Sequence, residues 1–289
     1  MTDTAPVRAT ERLMLRSGGG FIEMSVDTYE PAQAAATIFC LHDYWGNSRD
    51  FRQLAGFLVA HQYRVVCPDL PGRGDSAYLA DAAQYRPHTF LIALMALIQR
   101  FKRGPTIIIG KGWGALVALL LNVRMTLDLD RLIATDVPLN WTVDEDRLPS
   151  ADALEFATLE QARQSVLGSP ELANLPEPAA SALVDGRVRQ TTGGRYALRF
   201  DPVLVGQLRR VQQRSLDTTR LFARIRSPLL YLSANPLPQG ERNRLQAALA
   251  NPQSAIAESL SPGGQIHFNS AHQQLLVLGF LQNRPNIGQ

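Results

Sequence analysis

Short apolar runs of strand length alternate along the chain with longer segments whose apolar residues recur at helical spacing. The predicted buried strands are ATIFCLH, YRVVCPDL, PTIIIG and RLIATD. The helical segments between them are DFRQLAGFLVAHQ, PHTFLIALMALIQRF and ALVALLLNV. This alternation predicts a largely parallel sheet that is covered by helices on both faces.

Both ends of the chain extend this pattern. Near the N-terminus, ERLMLRS and FIEMSVDTY flank Gly18, Gly19 and Gly20, which predicts an antiparallel hairpin at one edge of the sheet. Towards the C-terminus, the order strand, helix, strand, helix is predicted for SPLLYLS, ERNRLQAALA, SAIAESL and SAHQQLLVLGFLQ.

The middle of the chain has a different character. Residues 140–222 contain helical segments, ADALEFATLEQARQSVL and PVLVGQLRRVQQR, but no convincing buried strand. We therefore expect one domain with an insertion, in which residues 1–139 and 223–289 form the core and residues 140–222 form a helical cap.

Composition excludes several classes of function. The 289 residues carry 29 basic and 26 acidic side chains, and the scattered arginines give no indication of nucleic-acid binding. Cys40 and Cys67 lie inside apolar runs, as reduced core cysteines do. The N-terminus lacks the apolar segment of a signal peptide, and no run is long enough to cross a bilayer, so a cytoplasmic location is expected.

Four segments in chain order, spanning most of residues 38–282, resemble the α/β-hydrolase superfamily. They are LHDYWGNSRDF, YRVVCPDLPGRGDS, IIIGKGWGALVAL and SPGGQIHF. The resemblance implies an α/β-hydrolase fold with a mostly parallel eight-stranded sheet, helices on both faces and a cap. It also implies that these segments supply an oxyanion loop, a strand with its loop, a nucleophile elbow and a histidine loop.

The nucleophile position of the elbow is Gly112. The fold's sharp strand-to-helix turn requires very small neighbours on either side, and Gly110 and Gly114 meet that requirement. Gly112 itself has no side chain, so acyl transfer through a serine or cysteine ester at this position is excluded.

Among the remaining catalytic positions implied by the resemblance, some carry the residue type of the family and others do not. His267 corresponds to the family base. The family acid is absent from Ser233–Pro236, which leaves Asp136 at the end of RLIATD as the alternative acid. Asp43 follows His42 where the family has a glycine, and its charge opposes stabilisation of an oxyanion.

Aromatic residues beside the elbow predict the wall of a ligand pocket. These residues are Tyr44, Trp45 and Trp113, and Trp113 is the best single candidate for a ligand contact. Lys111 is expected to pack away from the pocket mouth. No metal-spaced His/Cys set, P-loop or dinucleotide fingerprint is present, so neither a metal nor a cofactor is expected.

Three hypotheses follow. The first is a degenerate hydrolase that binds a small apolar or aromatic molecule, or a protein partner, under the cap. The second is a nucleophile-independent lyase, isomerase or cofactor-free oxygenase, in which His267 steered by Asp136 removes a proton. The third is a Ser-to-Gly inactivated form of an ordinary ester hydrolase. The sequence leaves the ligand and the oligomeric state open.

Overall fold

A computed structural model describes residues 7–17, 20–125, 127–141, 154–169, 177–211, 216–259 and 265–282. Eight strands form one sheet, namely β1 (Val7–Ser17), β2 (Gly20–Glu30), β3 (Thr37–Leu41), β4 (Arg64–Pro68), β5 (Thr106–Lys111), β6 (Arg131–Thr135), β12 (Leu229–Ser233) and β13 (Ala255–Glu258). Their order in the sheet is β1-β2-β4-β3-β5-β6-β12-β13.

Strands β1 and β2 pair antiparallel, and β2 also runs antiparallel to β4. All other pairs in the sheet are parallel. The mostly parallel eight-stranded sheet expected from the sequence is therefore confirmed. In the predicted hairpin turn, Gly18 and Gly19 lie outside the described residues, and Gly20 begins β2.

Helices cover both faces of the sheet. The α-helices of the described residues are α1 (Arg52–Ala60), α2 (Pro87–Phe101), α3 (Trp113–Met125), α4 (Leu159–Leu167), α5 (Glu177–Arg187), α6 (Val203–Val211), α7 (Thr219–Phe222), α8 (Gln239–Ala248) and α9 (Ala271–Leu281). Two separate apolar cores result, because α2 and α3 pack on one face whereas α1 and α9 pack on the other. Parallel strands buried on both faces are continuously apolar, as in Ile107–Ile109.

The segment between β6 and β12 contains helices α4 to α7 and also short strands that the apolar pattern did not predict. These strands are β7 (Asn140–Trp141), β8 (Glu155–Phe156), β9 (Val188–Gln190), β10 (Tyr196–Leu198) and β11 (Leu216–Asp217). Strands β8, β10 and β9 form a small antiparallel sheet. Two or three residues are too few to show the alternation that predicts a strand.

The strand order reverses around β3, which lies between β4 and β5 although β4 follows it in the chain. In open α/β sheets, ligand sites form beyond the carboxyl ends of the strands at such a reversal. The loops after β3 and β5 meet there, since Leu41 pairs with Gly110 at the ends of these two strands. The candidate residues at positions 42–45 and 112–113 lie at this point.

Candidate active site

The turn between β5 and α3 has the geometry of a nucleophile elbow. Gly112 adopts φ +48°, in the left-handed region that few side chains tolerate. The loop after β3 passes close beneath the first turn of α3, where a Cβ on Gly114 would overlap the Leu41 carbonyl. Gly110 is confined in the same way against the backbone of Ala115. The small residues are thus required by close backbone approach.

The carboxylate of Asp43 lies at the tip of this elbow. Its Oδ1 accepts two hydrogen bonds of 2.7 Å, one from the backbone N–H of Tyr44 and one from that of Trp113. A Cβ on Gly112 would overlap this carboxylate, with Oδ2 only 2.6 Å away. The side chain of Asp43 therefore takes the space that a side chain at position 112 would need.

The two amides that bind Asp43 are the pair that this fold uses for an oxyanion. One belongs to the residue after the elbow and the other to the loop after β3. Both donors already hold a carboxylate oxygen of the protein itself. A tetrahedral intermediate would have to displace that oxygen to receive the stabilisation on which acyl transfer depends.

His42 is a structural residue of the same loop. Its Nε2 accepts a hydrogen bond from the Leu70 amide at 2.9 Å, and its Nδ1 lies 2.7 Å from the Asp43 carbonyl. Because an amide only donates, the ring is neutral with its proton on Nδ1, which donates to the carbonyl. Burial lowers the pKa of His42 to about 4, so the ring is neutral near pH 7.

The histidine loop and the end of β6 come together. Asp136 adopts φ +55°, and its Oδ2 accepts a hydrogen bond of 2.8 Å from the backbone N–H of Ile266. His267, the next residue, is 95% buried. Ser261–Gly264 of the predicted histidine segment lie outside the described residues. The carboxylate of Asp136 therefore anchors the loop that carries His267.

Lys111 also reaches His267. Its Nζ lies 3.3 Å from Nδ1 of the imidazole, and the lysine is itself 97% buried. This contact joins residues 156 positions apart, and no local sequence signal indicates it. Lys111 is thus part of the histidine's immediate environment, which the prediction of simple packing away from the pocket did not include.

The aromatic residues beside the elbow form one continuous cluster. The Trp113 ring meets Tyr44 edge-on with 5.3 Å between centroids, and it also contacts Phe90 and Trp141. Tyr44 contacts Trp45 in turn, with 4.7 Å between centroids. The sequence indicated the three aromatic residues nearest the elbow, whereas Phe90 and Trp141 come from distant parts of the chain.

A buried cation lies against this cluster. Arg73 is fully buried, and its guanidinium carbon lies 4.5 Å from the Tyr44 ring centroid and 5.1 Å from that of Phe90. The guanidinium donates to the carbonyls of Tyr44 and Pro71. The PGRGDS segment marked this loop in the sequence, but nothing there distinguished Arg73 from a solvated arginine.

The tyrosine also ties the oxyanion loop to the segment above it. The Tyr44 hydroxyl donates to the carbonyl of Leu204 in α6 at 3.0 Å. Phe200 contributes a ring 4.7 Å from that of Trp45, and it forms a β-bridge with Arg73. Leu204 and Phe200 therefore connect the segment between β6 and β12 to the oxyanion loop.

Comparison with known proteins agrees with this geometry. The model of the family described as "Alpha/beta hydrolase family" matches residues 38–277. The chain belongs to the alpha/beta hydrolase family. The matched residues include the turn at Gly112, the loop after β3 and the loop that carries His267.

Individual relatives are distant. A 3-hydroxybutyrate-oligomer hydrolase from Cupriavidus necator is 30% identical over 121 residues, which cover 42% of this chain and only 41% of that protein. A putative hydrolase from Rickettsia typhi shares the fold with a TM-score of 0.80 at 16% identity, covering 96% of this chain and 99% of the other. An α/β-hydrolase from Novosphingobium aromaticivorans gives a TM-score of 0.73 at 20% identity, with 95% and 98% covered.

In the described parts of the chain, no group of three or more His, Cys, Asp or Glu side chains is arranged to hold a metal ion. None of the helices in these same ranges is both long and apolar enough to cross a membrane.

Proposed function

We propose that this α/β-hydrolase has lost serine-type acyl transfer and binds a small apolar or aromatic molecule in the site beside the elbow. The observation that carries this proposal is the Asp43 carboxylate, which accepts both oxyanion-hole hydrogen bonds and overlaps the side-chain space of Gly112. The Asp43 carboxylate therefore occupies both the position of the nucleophile and the oxyanion site.

The aromatic cluster supports a binding role. Tyr44, Trp45 and Trp113 provide flat apolar surface at the place where the fold binds ligands. Trp45 is partly exposed and Asp43 is half-buried, so solvent reaches the edge of this surface. A flat apolar molecule matches these rings better than a strongly solvated one does.

The same observation argues against a simple Ser-to-Gly inactivation. A serine at position 112 would place its Cβ within the Asp43 carboxylate. Gly112 and Asp43 are thus matched to each other, and restoring the serine alone would not restore a hydrolase.

A second candidate is proton abstraction by His267 with Asp136. It is supported by the hydrogen bond from the Ile266 amide to Asp136, which holds the histidine loop beside that carboxylate. The contact with Lys111 opposes it, because a lysine ammonium 3.3 Å from Nδ1 disfavours the positive charge that the imidazole would acquire on taking a proton.

The test combines turnover and binding in the purified protein. We expect no hydrolysis of p-nitrophenyl acetate or butyrate above the rate of a His267→Ala variant, and a rise in melting temperature with aromatic probe molecules that Trp113→Ala abolishes. His272→Ala, which alters an exposed histidine, is the matched control. Turnover that is lost in His267→Ala but kept in His272→Ala would overturn the proposal.

A further inference from the structure

Three hydrogen-bond donors in the aromatic cluster are buried, and within the described parts of the chain none of them has a partner. They are Nε1 of Trp113, Nε1 of Trp141 and Nη2 of Arg73. Burying a polar group without a partner costs about 1–3 kcal/mol of stability. Such groups in a native protein therefore need an explanation, and a bound ligand is one.

These donors belong to one connected set of side chains. The Trp113 and Trp141 rings are in contact, with 6.1 Å between centroids. Arg73 and Trp113 both contact the rings of Tyr44 and Phe90, which therefore link the guanidinium to the indole. The three donors thus share one neighbourhood beside the elbow.

Hydroxyl groups in and around the same cluster are treated differently. The hydroxyl of Tyr44 donates to the Leu204 carbonyl, and that of Tyr85 donates to Asp201. The fold therefore supplies acceptors in this region where a phenol needs one. The indoles and one guanidinium nitrogen remain without an acceptor.

We propose that the ligand carries an acceptor oxygen, as a carboxylate or a carbonyl, on a flat apolar body, and that Trp113, Trp141 and Arg73 bind this oxygen-bearing group. This inference rests on the proposed function and names the chemical class of its ligand. The rings of Tyr44, Trp45 and Phe90 hold the apolar body. Arg73 and Trp113 belong to the core, whereas Trp141 belongs to the segment between β6 and β12, so the ligand bridges the two.

The charges around Arg73 affect whether the acceptor oxygen of the ligand is charged or neutral. Asp201 and Asp43 both lie near enough to interact electrostatically with the guanidinium. They partly compensate the positive charge of the Arg73 guanidinium. A neutral carbonyl and a charged carboxylate can therefore both serve as the acceptor, and experiment distinguishes them. A hydrocarbon of the same shape provides no acceptor.

The experiment is titration calorimetry of the whole chain with benzoate, benzamide and toluene. Intrinsic fluorescence reports the location, since the only three tryptophans of the sequence, Trp45, Trp113 and Trp141, lie in this cluster. We expect benzoate or benzamide to bind more tightly than toluene. The tighter of the two identifies the form of the oxygen.

Conservative variants isolate the donors. Trp113→Phe and Trp141→Phe each keep a ring but remove an N–H. We expect each to weaken the binding of the oxygen-bearing probe about three- to tenfold. Neither should alter toluene binding by a comparable factor. Tyr63→Phe is the matched control, since it also keeps a ring and removes one polar hydrogen, but in the core on the opposite face of the sheet.

The outcomes separate the two proposals. If toluene binds as tightly as the other probes, or if Trp113→Phe and Trp141→Phe leave benzoate and benzamide binding unchanged, the acceptor-oxygen inference is wrong but small-molecule binding stands. If no probe binds up to its solubility limit, both are contradicted.

Discussion

The Asp43 carboxylate occupies the space into which a side chain on Gly112 would project. The two residues come from loops after different strands, β3 and β5, whose carboxyl ends are adjacent in the sheet. Their relationship is reciprocal, because the glycine makes room for the carboxylate and the carboxylate excludes any larger residue. Substitutions at the two positions must therefore be strongly coupled.

A double-mutant cycle measures that coupling. We expect Gly112→Ser to destabilise the protein by about 1–3 kcal/mol, since the new side chain overlaps a held carboxylate. In an Asp43→Gly background the same substitution should be much less harmful. Urea unfolding of the four proteins gives the interaction energy. Equal effects of Gly112→Ser in both backgrounds would show that the residues are independent.

A second prediction concerns the two backbone amides that bind the Asp43 carboxylate. Asp43→Ala removes the acceptor from the N–H groups of Tyr44 and Trp113, and we expect a loss of about 1–3 kcal/mol of stability. Asp43→Asn, whose carboxamide keeps an acceptor oxygen, should lose less. Added formate should raise the melting temperature of Asp43→Ala more than that of the wild type, as a free anion enters the vacated position. An identical formate effect on both proteins would contradict this.

Local sequence patterns predict most of these positions but not their contacts. The apolar runs predict the sheet, and the motif around Gly112 predicts the elbow. The position of Asp43 after His42 also predicts that its charge opposes an oxyanion. Its overlap with position 112 could not be foreseen, because it depends on the separation of two loops that only the folded sheet sets.

Contacts between distant residues account for what was missed. Lys111 is buried, but its contact with His267, on a loop 156 positions later, has no local sequence signal. The burial of Arg73 has no sequence signal, because Tyr44 and Phe90, whose rings its guanidinium contacts, come from other segments of the chain. The strands β8 to β10 were missed because they are only two or three residues long.

The close approach at the elbow predicts opposite effects for two glycine substitutions. Gly114→Ala would drive a methyl group into the Leu41 carbonyl, and we expect a loss of at least about 2 kcal/mol. Gly56→Ala is the matched control in helix α1, where nothing lies within 4 Å of the new Cβ. Alanine has the higher helix propensity, so this control should gain about 0.5–1 kcal/mol. Similar melting temperatures for the two variants would refute the packing of this turn.

The buried histidine of the oxyanion loop predicts a pH dependence of stability. Burial lowers the pKa of His42 in the folded protein to about 4, whereas its ordinary value is 6.5. As the pH falls from about 6.5 to about 4, the unfolded chain takes up a proton at this position before the folded protein does. His42 therefore destabilises the fold progressively over this window, and its contribution is constant above it.

His42→Gln isolates this effect, because a glutamine can accept from the Leu70 amide and donate to the Asp43 carbonyl without titrating. Burial raises the pKa of Asp69 to about 6, which acts in the opposite sense as the pH falls from about 6 to 4 but is present in both proteins. The stability of the wild type relative to His42→Gln should thus fall by on the order of 2–4 kcal/mol between pH 7 and pH 4. Urea unfolding at each pH measures this difference. A difference that stays constant across the range would mean that His42 titrates alike in the folded and unfolded chain.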